Sequence, residues 1–263
     1  MRIRFHVISD TPKARLAERD LTAECSRLGL QAVSEGATDC VIALGGDGTL
    51  LHAVDAFPGV PVLGFNLGGL GYLSHVEERH FNEALKRLAQ GEFRIENHTM
   101  LKAQIGARAV LALNDIVVRG LSGHATVLDV SCDEHAPTRY LADGLIIATP
   151  TGSTAYSLSA GGPVLTTDSA SFVLTPMNPH ALGIRPIVLS DSVQLAVQTS
   201  PRRNHPAEKV GVYADGKNAF YLDEGDVLTV VKADHMTPFV ELEGYDPYEV
   251  LSRKLGWSGT VVK

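Results

Sequence analysis

The segment Gly45-Gly46-Asp47-Gly48-Thr49 has the residue types of a phosphate-binding loop. It follows a continuous apolar run, and ligands of open α/β sheets bind beyond the carboxyl ends of strands. Glycines leave backbone N–H groups accessible to phosphate oxygens, and the N-terminus of a following helix favours an anion. Asp47 is suited to bind Mg²⁺ or to accept a hydroxyl proton. The same residues also fit a tight turn in which Asp47 only caps a helix.

A second glycine-rich loop spans residues 64–73 and includes Asn66, Gly68 and Tyr72. It follows another predicted strand, so both loops are expected at the same edge of one sheet. Alone, this segment fits a packing loop. Together with the first loop, it predicts a cleft for phosphate groups.

Two further segments carry groups that suit a nucleotide. The run 149–162 follows a buried strand and is rich in hydroxyl residues and glycine, which can donate to phosphate or ribose oxygens, while Tyr156 can lie against a flat ring. The alternative is a series of helix caps and turns. Asn114-Asp115 and Asp143-Gly144 each end or begin a predicted strand, and together they form a plausible sugar-binding set, although each residue alone is common in turns.

The pattern of strands and helices predicts two domains. Residues 1–97 alternate strand and helix, which indicates an α/β domain with an open parallel, Rossmann-like sheet. Residues 98–245 contain many short β-rich runs separated by turn residues, which predicts a β-rich, sandwich-like domain. The tail 246–263 looks helical around 248–255 and is assigned to the first domain.

The composition excludes several functions. The net charge of −7 argues against nonspecific binding to nucleic acid, and no apolar run is long enough for a membrane helix. The three cysteines are far apart and form no C-x-x-C pair, which favours a reducing, cytoplasmic location. The ten histidines show no metal-site spacing. The run 211–218 nearly matches a P-loop, but Asn218 stands where Ser or Thr would hold Mg²⁺, so we interpret Asp215-Gly216 as a hairpin turn.

Taken together, these segments resemble the NAD kinase family over nearly the whole chain. The resemblance rests on the first glycine loop, the second loop from Asn66 to Gly71, the Asn114-Asp115 pair, Asp143 to Pro163, Thr175 to Val188, and the tail 248–257. The first loop alone is shared with lipid kinases. The segment 149–162 is far more specific.

The resemblance implies phosphorylation of the 2′-hydroxyl of the adenosine ribose of NAD, with ATP as donor and Mg²⁺ as cofactor, giving NADP. It also implies that NAD binds between the domains and near a neighbouring subunit, in a homodimer or homotetramer. Asp47 would accept the hydroxyl proton and help to hold Mg²⁺, directly or through water or phosphate. The residues expected to bind ATP or its phosphates are Gly45, Gly46, Gly48, Thr49, Asn66 and Gly68. The residues expected to bind NAD are Asp47, Gly48, Tyr72, Asn114, Asp115, His124, Asp143, Thr154, Ala155, Tyr156, Ser157, Leu158 and Ser159.

Two positions depart from the family. Asp115 stands where the family usually has Glu, so a direct contact with the dinucleotide can become water-mediated. Leu141 stands where some relatives have a basic residue, and His124 is the nearby polar residue. A lipid kinase and a dinucleotide sensor without turnover stay open as alternatives. The sequence also leaves open NADH as acceptor, polyphosphate as donor and feedback by NADP or NADPH.

Overall fold

A computed structural model describes residues 1–9, 11–68, 71–201 and 209–257. Within these ranges the chain forms two compact units. The first contains Met1–Asn97 and the chain from Thr237 onward, and the second contains His98–Met236.

The described residues form strands, α-helices and two short 3-10 helices. The strands are β1 Arg2–His6, β2 Gln31–Ala32, β3 Cys40–Gly45, β4 Val62–Asn66, β5 Val76–Glu77, β6 Phe93–His98, β7 Leu101–Ile105, β8 Arg108–Ala112, β9 Asp115–Gly120, β10 Thr126–Cys132, β11 Thr138–Ala142, β12 Gly144–Ala148, β13 Ser171–Met177, β14 Ile187–Ser190, β15 Leu195–Ser200, β16 Val210–Ala214, β17 Lys217–Leu222, β18 Leu228–Lys232 and β19 Thr237–Leu242. The α-helices are α1 Pro12–Arg27, α2 Asp47–Ala56, α3 Phe81–Gln90, α4 Tyr156–Ser159 and α5 Pro247–Leu255, and the 3-10 helices are Glu78–His80 and Thr151–Thr154.

The first unit is built on one sheet with the strand order β2-β1-β3-β4-β19-β6, and β5 also pairs with β4. Strands β1 to β5 pair in parallel, as does β19 with β4. Residues 40–44 and all of β4 are buried, which explains why these strands are apolar at nearly every position. The α/β fold expected for this half is therefore confirmed.

Helix ends in the first unit follow local sequence signals. The Thr11 hydroxyl accepts a hydrogen bond from the Ala14 amide at the start of α1, with Pro12 in the first turn. At the other end of the unit, the Asp246 carboxylate caps α5, and Gly256 follows the helix with a φ of 64°. The helix predicted around 248–255 is confirmed.

The strand β19 belongs to the first unit, whereas the sequence pattern predicts it in the second domain. The sequence pattern predicts that residues 239–242 belong to the β-rich half, but Phe239 pairs with Val62 in the sheet of the first unit. The first unit therefore takes in residues 237–245, and its boundary differs from the predicted one at 246. Four of the six residues of β19 are buried, and such a short apolar strand carries no signal that says which sheet it joins.

The second unit consists of two six-stranded sheets with the orders β11-β10-β15-β18-β7-β8 and β14-β13-β12-β9-β16-β17, and the pairings in both are antiparallel. One hydrophobic cluster contains Leu128 and Val197 of the first sheet together with Leu145 and Phe172 of the second. The sheets thus bury their apolar faces against each other, as in a sandwich. The predicted β-rich second half is confirmed.

No helix in the described ranges is long and apolar enough to span a membrane.

Candidate active site

The first glycine loop joins β3 to α2 and places Asp47 in the first turn of that helix. Gly46 is the N-cap residue and provides no side-chain cap, so the first amides of α2 have no partner from a capping side chain. A Cβ on Gly45 would lie 2.2 Å from Thr49 Oγ1, so packing within the loop requires glycine there. A Cβ on Gly46 or Gly48 would meet no protein atom within 4 Å. Because neither position has a positive φ, the chain itself gives no reason for glycine at 46 and 48.

The second glycine loop holds the Asp47 carboxylate in place. The amides of Tyr72, Leu73 and Ser74 donate hydrogen bonds to it at 2.8, 3.2 and 2.9 Å, and the Ser74 hydroxyl donates at 2.7 Å. A Cβ on Gly71 would lie 2.2 Å from Asp47 Oδ1 and 2.2 Å from Ser74 Oγ. Glycine at 71 is therefore required for the carboxylate to lie against this loop.

The hydrogen bonds leave the two oxygens of Asp47 in different states. Three of them end on Oδ1, and only the Tyr72 amide bonds to Oδ2. Since a carboxylate oxygen has about two lone-pair sites, Oδ2 keeps one site for a substrate hydroxyl or a water. The carboxylate is therefore fixed in orientation and still able to accept a proton.

Asn66 contributes to the shape of the second loop. Its side chain is buried, its Nδ2 donates to the Ser74 carbonyl at 2.9 Å, and its Oδ1 accepts from the Gly68 amide at 2.7 Å. Both ends of this amide are thus used within the loop. The predicted contribution of Asn66 to phosphate binding would be indirect, through the position of Gly68 and Ser74.

In the second unit, Asn114 and Asp115 form a turn that is held by Asp215. The Asp215 carboxylate accepts hydrogen bonds from the amides of Leu113, Asn114 and Asp115 at 2.8, 2.8 and 3.2 Å. Asp215 has a φ of 47°, as the first residue of the predicted Asp215-Gly216 hairpin turn. The sequence pattern predicts no role for this aspartate beyond the turn. An Asp-Gly turn has the same sequence whether or not its carboxylate bonds to a distant segment.

In this turn the side chain of Asp115 is buried and that of Asn114 is partly buried. Asn114 Oδ1 is buried and accepts no hydrogen bond from any residue that the structure describes. Burial, together with the charge of Asp215, raises the pKa of Asp115 to about 7. At neutral pH a substantial fraction of Asp115 therefore carries a proton and can donate a hydrogen bond.

The hydroxyl-rich segment packs against the same turn. The Thr149 amide donates to the Asn114 carbonyl at 2.9 Å, and the Thr149 hydroxyl donates to the Leu113 carbonyl at 2.6 Å. A Cβ on Gly152 would lie 1.9 Å from the Asn114 carbonyl oxygen, so glycine is needed for this close contact. Two of the segments predicted to bind NAD are thus brought together, although they are separated by more than thirty residues in sequence.

The residues predicted to bind NAD between 154 and 159 differ in their exposure. Tyr156 and Ser159 are exposed, while Thr154, Ala155 and Leu158 are partly buried. Ser157 is fully buried, and its hydroxyl lies 2.8 Å from that of Thr175. Direct contact with a ligand is therefore open to the other five residues, whereas Ser157 holds the segment on the sheet.

Asp143 and Asp115 lie at opposite ends of the paired strands β9 and β12. In the β9–β12 pairing, Asp115 is opposite Ala148, and Asp143 precedes the first residue of β12. Ala148 follows Asp143 by five residue steps of extended chain, which corresponds to about 17 Å. Asn178, which has a φ of 45°, donates to the Asp143 carboxylate at 2.9 Å.

His124 belongs to the same end of the sandwich as Asp143. It precedes β10, where Thr126 pairs with Ala142, and its exposed ring lies 2.9 Å from the Ser122 hydroxyl. The structure thus divides the predicted NAD-binding residues of the second unit into two groups. One surrounds Asn114 and Asp115, and the other contains His124 and Asp143.

Both halves of the chain match models of one family. The ATP-NAD kinase N-terminal domain matches residues 6–93, and the ATP-NAD kinase C-terminal domain matches residues 113–242. The chain belongs to the NAD kinase family. Membership confirms the predicted family and the predicted class of enzyme, a kinase acting on NAD.

Individual relatives support the same assignment. The NAD kinase of Symbiobacterium thermophilum is 41% identical over 254 residues, which cover 94% of this chain and 86% of the relative. The NAD kinase of Syntrophotalea carbinolica is 38% identical, with 84% and 79% covered.

Two solved structures share the fold of this chain. Yeast NADH kinase complexed with NADH superposes with a TM-score of 0.88 at 25% identity, covering 100% of this chain and 90% of that one. The NAD kinase from Archaeoglobus fulgidus in complex with ATP gives 0.81 at 26% identity, with 97% and 99% covered. The lipid-kinase alternative has no support from these matches to the NAD kinase family.

Proposed function

We propose that this chain transfers the γ-phosphoryl group of ATP to the 2′-hydroxyl of the adenosine ribose of NAD, giving NADP. The observation that carries this proposal is the Asp47 carboxylate, which four hydrogen bonds from Tyr72, Leu73 and Ser74 hold in one orientation with a lone-pair site of Oδ2 unused. In this role Oδ2 accepts the proton of the attacking hydroxyl as its oxygen bonds to phosphorus. The departing group is ADP. Phosphoryl transfer asks the protein mainly for alignment and charge stabilisation, and a fixed carboxylate supplies alignment.

The glycine loops suit the phosphates of ATP. Glycine at positions 46 and 48 is required neither by the backbone conformation nor by packing, but it would allow phosphate oxygens to approach the first amides of α2. Thr49 and Gly68 lie within these loops. The Asn114-Asp115 turn would bind NAD through the Asp115 carboxyl and through Asn114 Oδ1, which has no hydrogen-bond partner among the described residues. The segment 154–159 would bind NAD through the exposed Tyr156.

A magnesium ion fits this site as a partner of the substrate phosphates. No cluster of three or more His, Cys, Asp or Glu residues capable of holding a metal occurs in the described ranges. Mg²⁺ is commonly held by one or two carboxylates with waters and substrate phosphates, so Asp47 would hold it through water or phosphate. When bound, Mg²⁺ would neutralise charge on the triphosphate. Because Oδ2 has one unused site, a contact with Mg²⁺ through the substrate phosphates would leave that oxygen available for the hydroxyl proton.

The decisive experiment is an assay of NADP formation from NAD with ATP and Mg²⁺, and in parallel with polyphosphate and with NADH as acceptor. Asp47→Asn is expected to lower turnover about 10²–10⁴-fold, the usual cost of losing a general base. Ser74→Ala is the matched control, since it removes one hydrogen bond to Oδ1 and a 3.2 Å bond from Asn66 Nδ2 but leaves the Tyr72 bond to Oδ2 intact. Turnover of Ser74→Ala should fall by no more than about tenfold. Wild-type turnover in Asp47→Asn, or an equal loss in both variants, would contradict the proposed role of Oδ2. NAD binding without any NADP formation by the wild type would favour a sensor.

We also propose that the chain acts as a homo-oligomer, a dimer or a tetramer, in which Asp143 and His124 of one copy serve the NAD site of a neighbouring copy. The separation of about 17 Å between the two ends of β12 supports this arrangement. Co-expression of Asp47→Asn with Asp143→Ala provides the test. Mixed oligomers would contain some sites with both aspartates intact, so activity should exceed the sum of the two variants alone. Purely additive activity in verified mixed oligomers would contradict the proposal.

We propose a cytoplasmic location because the cysteines, all of them in the described ranges, form no disulfide in the structure. All three are free, and burial raises the pKa of Cys25 to about 11 and that of Cys40 to about 12. Such thiols are inert packing residues, which suits a reducing compartment.

A further inference from the structure

The C-terminal helix α5 contacts the second glycine loop through a lysine. Lys254 Nζ lies 4.8 Å from the centre of the Tyr72 ring, within the range of a cation–π interaction. One residue earlier in the helix, Arg253 forms a 2.9 Å salt bridge with Glu77. Two contacts therefore fix this helix on the segment 72–77, and one of them places a positive charge beside the loop that holds Asp47.

Tyr72 connects this lysine to the Asp47 carboxylate. Its amide donates to Asp47 Oδ2 at 2.8 Å. Burial raises the pKa of Tyr72, and the nearby charge of Asp47 raises it further. The ammonium group of Lys254 thus lies against the ring of the same residue whose amide binds Asp47 Oδ2.

The charged end of Lys254 belongs to an exposed side chain. Lys254 is exposed and forms no salt bridge with any residue in the described part of the chain. Lys13, the other lysine at this loop, is already engaged, because it donates to the Leu67 carbonyl at 2.8 Å and forms a 2.7 Å salt bridge with Glu78. Of these two described lysines, Lys254 is therefore the one that is available to an incoming anion.

The glycine loops need such a cation. The segments 45–49 and 66–74 contain no Lys or Arg, and their one charged residue is the anionic Asp47. A triphosphate carries several negative charges, which amides and one metal ion compensate only in part. A lysine on a flexible stem can follow a phosphate over several ångströms while its apolar stem stays against an aromatic ring.

We propose that Lys254 binds the phosphates of the nucleotide donor beside Asp47 and neutralises part of their charge. This inference rests on the proposed function as an ATP-dependent NAD kinase and extends it by a residue of the C-terminal helix. In this role the lysine forms no covalent bond. Its alternative role is structural, as a clamp that holds α5 on the loop through Tyr72.

Nucleotide binding separates the two roles. The dissociation constants of ATP, ADP and adenosine would be measured by calorimetry on Lys254→Met, Lys254→Arg and the wild type, with Lys86→Met as control. Lys86 is an exposed lysine of α3 with no assigned role in the site. Loss of a charge-assisted phosphate contact should weaken ATP binding about tenfold to a hundredfold in Lys254→Met. Adenosine binding should stay within about twofold, Lys254→Arg should retain most of the ATP affinity, and Lys86→Met should match the wild type.

The binding measurements test the phosphate contact of Lys254 separately from NADP formation. Equal weakening of ATP and adenosine in Lys254→Met would show a structural clamp and overturn the proposal, as would unchanged ATP binding. Arg253→Met provides a second check, because it removes the salt bridge to Glu77 and leaves the Lys254 charge. If Arg253→Met weakens ATP as much as Lys254→Met does, docking of the helix and not the lysine charge is responsible. If the wild type binds ATP through Lys254 but forms no NADP, the proposed function fails while the phosphate site stands.

Discussion

Substitution of Gly71 by alanine tests whether the position of Asp47 controls the reaction. The added methyl group would lie 2.2 Å from both Asp47 Oδ1 and Ser74 Oγ, whereas ordinary contacts of a Cβ begin at 3.4 Å. The carboxylate, the loop or both must therefore move by about 1 Å. The hydrogen bonds of 2.7–3.2 Å that hold Asp47 do not survive such a displacement intact.

The expected loss for Gly71→Ala is about 10²-fold in kcat, the typical effect of misplacing a catalytic group by about 1 Å. The cost in stability should be about 1–3 kcal/mol, as for other overpacked sites. Steady-state NADP formation gives kcat, and chemical denaturation gives the free energy of unfolding.

Gly183→Ala is the matched control for Gly71→Ala. A Cβ on Gly183 meets no atom within 4 Å, and this glycine has no positive φ. It should keep wild-type turnover and an unfolding free energy within about 0.5 kcal/mol. A folded Gly71→Ala variant with wild-type kcat would refute the assignment of Asp47 as the group that the second loop positions.

Three further substitutions address the glycine loop and the Asn114-Asp115 turn. Gly48→Ala should leave the melting temperature unchanged or slightly higher, because a Cβ there is free of contacts and alanine favours a helix, yet calorimetry should show weaker ATP binding. Asp115 has a pKa of about 7 in the folded chain against an ordinary 3.8, so the folded state keeps a proton that the unfolded state has lost, and stability falls as pH rises from about 4 to about 7. Denaturation of Asp115→Asn at several pH values should therefore show a gain over the wild type that grows by up to roughly 4 kcal/mol across this window; a gain independent of pH would contradict the assignment. Asp215→Asn should raise the KM for NAD about tenfold with a smaller change in the KM for ATP, since its carboxylate holds the backbone of residues 113–115, and equal changes in both kinetic constants would argue for general misfolding.

The parts of the site that depend on local patterns could be predicted from the sequence. The apolar run before Gly45 indicates a buried parallel strand, and a glycine loop after such a strand indicates a ligand site at the sheet edge. The contact between the two glycine loops also follows from their place after neighbouring strands. What the sequence does not encode locally is the direction of each bond, such as the three bonds that end on Asp47 Oδ1.

Long-range contacts account for what the sequence could not provide. Asp215 bonds to amides about one hundred residues earlier, and nothing in an Asp-Gly turn distinguishes this carboxylate from one that faces solvent. Ser157 lies in a hydroxyl-rich run that suits a ligand, but its own hydroxyl is buried against Thr175. Composition identifies a polar segment, whereas the side that faces inward depends on packing against other strands.

The position of β19 in the first sheet has a consequence for biosynthesis. The strand lies between β4 and β6, so the sheet of the first unit has a gap until Thr237–Leu242 has been made. In a nascent chain that has released only Met1–Asn97, β5 covers the edge of β4 at Phe65 and Asn66, but the buried, apolar start of β4 around Val62 has no partner from β19. The first unit therefore cannot finish folding before the ribosome has translated the whole second unit. A fragment ending at Asn97 would carry an aggregation-prone edge, and a separately expressed first unit would need β19 joined to it by a linker.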